Sequence, residues 1–82
     1  MPRVATIGAV TIFIYAGDHN PPHFHARLRS SEEARVRISD LKVLNSTLPR
    51  STLRSVLGWA AGNRADLALK WIELNETIGD DE

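Results

Sequence analysis

The chain has 82 residues, 43% hydrophobic and 24% charged, with ten Lys and Arg matched by ten Asp and Glu and no Cys. The formal net charge of zero speaks against strong nonspecific nucleic-acid binding, and the lack of Cys excludes disulfides and thiolate metal sites. The apolar run from Ala9 to Ala16 is far shorter than the ~20 residues that span a bilayer, so one cytoplasmic domain over residues 1–82 is expected, small enough for a partner or a second copy to help it.

Val4 to Ile7 reads as a short strand, and Gly8-Ala9 suits a two-residue hairpin loop with Gly supplying the positive φ. Val10 to Tyr15 follows as a strand of high β propensity, and Gly17 ends it. The next eight residues, Asp18-His19-Asn20-Pro21-Pro22-His23-Phe24-His25, hold all three histidines and two of the four prolines. Adjacent prolines restrict φ and keep the preceding residue out of the helical region, so a stiff extended loop is expected to hold these histidines in place.

His23 to Arg29 alternates polar with apolar residues, and Ala34 to Ile38 does the same, which is the mark of strands with one wet face. A one-residue slip would turn arginine toward the core, so Phe24, Ala26 and Leu28 must meet Ala34, Val36 and Ile38 across a loop of three or five residues. The opposite face then carries His23, His25, Arg27, Arg29, Arg35 and Arg37. Like charges opposed across a sheet are destabilising, which hints at an anionic partner.

Ser39-Asp40 reads as a turn, and Leu41 to Asn45 as a last short strand. Pro49 suits the first turn of a helix, along which Leu53, Val56, Leu57, Ala60 and Ala61 form an apolar stripe. Gly62-Asn63 breaks it, with Asn63 as the expected cap of a second helix whose stripe is Leu67, Trp71, Leu74 and Ile78, ended by Gly79. The expected fold is α+β: an antiparallel sheet of about four strands over residues 3–45, then two helices over residues 48–78 packed on the Phe24/Val36 face.

Charge is unevenly spread. Arg3, Arg27, Arg29, Arg35, Arg37 and Lys42 outweigh Asp18, Glu32, Glu33 and Asp40 in residues 1–42, and acidic residues prevail in residues 43–82. The histidines fall in the basic half.

Met-Pro at the start, Ile-Tyr leading into Asp18 to His25, Leu-Pro-Arg before a helix, and two spaced tryptophans resemble a bacterial family, domain-of-unknown-function family 4160. All eight motif positions match. The resemblance implies one half of a two-gene toxin–antitoxin module, with a small partner protein encoded alongside.

Three functions fit these residues. In an RNA-directed nuclease or toxin, His23 and His25 act as general base and acid, with His19 beside them, because imidazole exchanges protons near neutral pH. Asp18, Asn20, Arg27, Arg29, Arg35 and Arg37 then bind substrate, the arginines by matching phosphate with their planar fork. In a metal site, His19, His23 and His25 bind zinc, with Asp18 as a further ligand or an outer partner. In a binding module, the histidine-arginine face docks an acidic partner without chemistry.

Overall fold

The computed structural model describes residues 3–28 and 31–75. In chain order they form β1 (Arg3–Ile7), β2 (Val10–Phe13), β3 (His23–Leu28), β4 (Glu33–Arg37), β5 (Val43–Ser46), α1 (Arg50–Ala61) and α2 (Arg64–Asn75). The sheet is antiparallel with strand order β1-β2-β3-β4-β5, five strands where the sequence suggested about four. The fold is α+β with two C-terminal helices, as expected. No helix among the described residues is long and apolar enough to cross a membrane. Arg29, Ile78 and Gly79 lie outside the described residues.

Ile7 pairs with Val10, and Gly8 between them has φ +59° while Ala9 stays at negative φ, the pattern of a type II′ turn whose twist suits a hairpin. The β3/β4 register follows the burial argument. Phe24 faces Val36 and Ala26 faces Ala34, so apolar meets apolar, and the Leu28 N–H donates to Glu32 O at 2.8 Å with residues 29–31 between them. Ser31 has φ 90°, where a Cβ is unfavourable by roughly 1–2 kcal/mol. Ser31→Gly removes that penalty against an added entropic cost of about 0.5–1 kcal/mol. A gain of roughly 0.5–1 kcal/mol is therefore expected in urea unfolding, and a loss would mean that the serine side chain holds the turn.

One face of the sheet buries Val10, Ile12, Phe24, Ala26, Ala34 and Val36 against Val56 and Ala60 of α1 and Leu67 and Trp71 of α2. Burying a side chain such as Phe24 or Val36 stabilises the fold by roughly 1.5–3 kcal/mol, so this face locks the register. Trp59, off the main stripe of α1, is half-buried and meets Phe24 edge-on at 6.3 Å. Ala61 and Ile72, read as stripe members or their neighbours, are exposed.

The helix junction departs from expectation. The Asn63 side chain does not cap α2; its Nδ2 donates to Trp59 O at 2.8 Å and so closes the end of α1. α2 is fixed from the other side, where the Arg64 guanidinium donates to the carbonyls of Ile38 and Ser39 in the β4/β5 turn. At its far end Asn75 Nδ2 donates to Tyr15 O at 3.2 Å, and Asn75 Oδ1 accepts from the Asp18 N–H at 2.9 Å. The last turn of α2 thereby grips the loop that leaves β2.

Candidate functional site

Strand alternation places His23 and His25 on the face opposite Phe24, with ring centroids 5.1 Å apart. Beside them in β4 stand Arg37, opposite His23, and Arg35, opposite His25. The histidine end of this face is not wet, however. His23 is only 2% exposed, because Trp71 of α2 packs against its ring at 5.4 Å and the loop held by Asn75 brings Asp18 over it. The alternation told which side His23 points to, but α2 decides what covers it. His25 is partly covered by Tyr15, which meets it edge-on at 4.7 Å.

Asp18 is the hub. Its Oδ2 lies 3.1 Å from His23 Nε2 and 3.3 Å from His25 Nε2, and its Oδ1 accepts the His19 N–H at 3.0 Å. Each ring is fixed from behind. His23 Nδ1 is 2.7 Å from Pro21 O, and His25 Nδ1 is 2.8 Å from Glu33 Oε2. A carbonyl and a carboxylate only accept, so each Nδ1 carries a proton and donates. In a neutral ring that leaves Nε2 with a lone pair; the 3.3 Å contact of His25 Nε2 with Asp18 Oδ2 is a hydrogen bond only when that ring also carries a proton at Nε2. His23 Nε2 is buried and, despite its 3.1 Å neighbour, makes no hydrogen bond among the described residues, since the oxygen lies off the N–H direction.

Three electron-rich atoms gathered in this way repel unless a cation lies among them, either a proton or a metal ion. Burial pushes the Asp18 carboxyl up, but the His25 hydrogen bond, the His19 N–H and the charges of His23 and His25 outweigh it and hold the group below its ordinary value. Asp18 is therefore poised as an anion. The ligand atoms of Asp18, His23 and His25 lie within 4.8 Å of one another. The two Asp18 distances are close to the edge of about 3.3 Å that 2.0–2.1 Å bonds make at a tetrahedral zinc.

The other residues singled out from sequence are placed as follows. His19, expected as a third metal ligand, has a side chain 80% exposed whose Nδ1 is 3.4 Å from Asp18 Oδ1; Asp18 takes its place in the convergent set. Asn20 is exposed and precedes Pro21 through a cis peptide bond, a bend where an extended loop was expected. Arg27 lies over the Phe13 ring and 3.8 Å from Glu33 Oε1. Arg37 grips Asp40 with two bonds of 2.8 and 2.6 Å, which hold the Asp40 carboxyl well below the usual carboxylate range. Arg35 has no carboxylate partner among the described residues; its Nε donates to Asn45 Oδ1 at 3.3 Å.

Sequence reasoning missed Glu33, Trp71 and Asn75 as parts of the site. Glu33 was within reach, since it shares the alternation of Arg35 and Arg37, whereas nothing local marks Asn75. No curated protein and no solved structure matches the chain. One family model does match, over residues 10–72, a span that includes the whole Asp18 to His25 motif and both tryptophans. The chain belongs to the family described as a domain of unknown function, DUF4160.

Proposed function

We propose that Asp18, His23 and His25 hold a divalent first-row metal ion, zinc in the first instance, and that the chain is a small metal-dependent hydrolytic domain. The observation that carries this reading is the convergence of two Nε2 atoms on Asp18 Oδ2 while both Nδ1 atoms are bound to acceptors. Outer acceptors of this kind orient ligand histidines and raise their basicity. Three protein ligands leave a position open, as in catalytic rather than structural zinc sites, and a bound ion there would supply an activated water near neutral pH.

The substrate proposed is the phosphodiester backbone of RNA, and the role that of the toxin in the two-gene module. A purely acid–base nuclease is the weaker form of this idea, because His23 is too buried to meet a phosphate. A face that docks an acidic partner is also less favoured, since Arg27 and Arg37 already have carboxylates beside them within the chain.

The test begins with metal. Metal-free protein titrated with zinc is expected to bind one ion per chain and to melt at higher temperature. Glu33→Gln keeps a hydrogen-bond acceptor for His25 but removes the charge, and is expected to weaken zinc binding about 10–100-fold with the far-UV spectrum unchanged. Asn75→Ala leaves the Asp18 N–H without its acceptor and is expected to cost about 1–3 kcal/mol in urea unfolding. A protein that binds no zinc and whose melting zinc does not move has no such centre.

A further inference from the structure

We infer that the cleft between β4 and β5, on the far side of the His25 ring from Asp18, binds the phosphate group of a phosphate ester, with Arg35 and Asn45 as its donors. This names the substrate class of the proposed metal centre and rests on that reading for its catalytic sense, but phosphate binding by the cleft can be measured without any metal.

The cleft has a volume of about 430 Å³, and His25, Glu33, Arg35, Asn45 and Thr47 are among its lining residues. Its chemistry follows from which groups are already engaged. Of the wet-face arginines that the structure describes, Arg27 stands beside Glu33 and Arg37 is clamped by Asp40. Among the described residues Arg35 has only Asn45, and only through Nε, so there the outer guanidinium nitrogens keep their donors for a ligand. Asn45 turns its carbonyl oxygen to Arg35, which leaves its NH₂ as a second donor at the same place. The Thr47 hydroxyl accepts from the Glu33 N–H and donates to Glu33 O. It is thereby occupied in joining the end of β5 to the start of β4 and sets the floor on which Asn45 and Arg35 sit.

Among the described residues the one anionic group lining the cleft is Glu33. Its Oε2 accepts from His25 Nδ1 and its Oε1 faces Arg27, so its charge is turned toward its own partners. What the cleft offers a ligand is a planar cationic fork and an amide donor side by side, the arrangement that suits a phosphate with several acceptor oxygens. The imidazole of His25 separates this donor pair from the convergent Nε2 and Asp18 atoms. A phosphate ester seated on Arg35 would therefore lie one ring width from the proposed ion, and His25 would touch both.

The test uses the whole chain in metal-free buffer at pH 7.5, titrated with inorganic phosphate and followed by nitrogen-proton NMR. Saturable shifts are expected at the Arg35 Nε–H and the Asn45 side-chain NH₂, with millimolar affinity. Arg35→Gln is expected to weaken binding at least about tenfold, since it removes the charge and the fork. Asn45→Asp, nearly the same shape but anionic, should weaken it as well and serves if Arg35→Gln does not fold. Arg37→Ala should leave the affinity within about twofold, because Arg37 is engaged with Asp40. No saturable shift, shifts centred on Arg37, or an Arg35→Gln variant that binds like the parent would overturn the inference. Acetate binding as tightly as phosphate would overturn the phosphate assignment. A parent protein that binds zinc but not phosphate strikes this inference alone; a parent protein that binds phosphate but not zinc strikes the metal reading alone.

Discussion

Asp18→Asn is expected to abolish the response to zinc while leaving the metal-free protein folded. Asparagine keeps the oxygen that accepts the His19 N–H, and its amide can donate to the Nε2 of a neutral ring. The change in metal-free stability should therefore stay within about 1 kcal/mol. Metal binding has no such compensation, because an amide supplies no anionic ligand. In the parent protein, zinc at about a hundred times its dissociation constant should add about 2.7 kcal/mol, a rise in melting temperature of roughly 10–20 °C for a domain of this size. The variant should show none. A variant that still responds fully to zinc would place the ion elsewhere.

The same substitution should also change the acid limb of the stability curve. The Asp18 pKa is lowered on folding from its usual 3.8, so the unfolded chain binds the proton more readily than the folded one. Its contribution to stability is then complete above the unfolded value and falls away as the pH drops through the folded one. Metal-free parent protein should lose this increment below about pH 4, and Asp18→Asn should lack that part of the slope. Parallel acid limbs for the two proteins would mean that Asp18 does not interact with the rings in solution.

Trp71→Ala should have the largest effect on the fold. Trp71 is 2% exposed, and its ring meets both the sheet core and His23. Truncating a buried tryptophan costs about 3–5 kcal/mol, a large part of the roughly 4–12 kcal/mol expected in total for an 82-residue domain. Cooperative melting should be lost or shifted to low temperature. Trp71→Phe retains most of the apolar surface, and Trp71 Nε1 has no hydrogen-bond partner among the described residues to lose, so this variant should remain folded. It thins the cover of His23, so zinc affinity should fall while far-UV dichroism stays native. A Trp71→Phe protein with parent zinc affinity would show that the indole is core alone.

Much of this architecture was legible in the residues themselves. Alternation in His23 to Leu28 and in Ala34 to Ile38 assigns each side chain to a face, and a core that excludes arginine permits one register, which Phe24 opposite Val36 fulfils. Gly8 marks the first turn because its positive φ is open to a residue without a Cβ. Pro49 and Gly62 bracket α1. These are local properties, or pairings that burial dictates, and they need no knowledge of what lies far along the chain.

The composition of the site was decided only by tertiary structure. Three histidines in one motif suggested a set of three, yet His19 points to solvent and Asp18 converges with His23 and His25 instead. The direction of a loop side chain depends on where the loop is tied down, and here the tie is Asn75, 57 positions away. Strand period likewise assigned His23 to the polar face but not its burial, which Trp71 imposes from α2. The four arginines looked alike in sequence; Asp40 and Glu33 engage two of them and leave Arg35 with an amide partner alone. Residue types and their period therefore determine the sheet, its register and the faces, because those depend on neighbours in sequence and on one rule of burial. Which polar groups are charged, covered or free depends on contacts between distant segments, which exist only once α2 has packed.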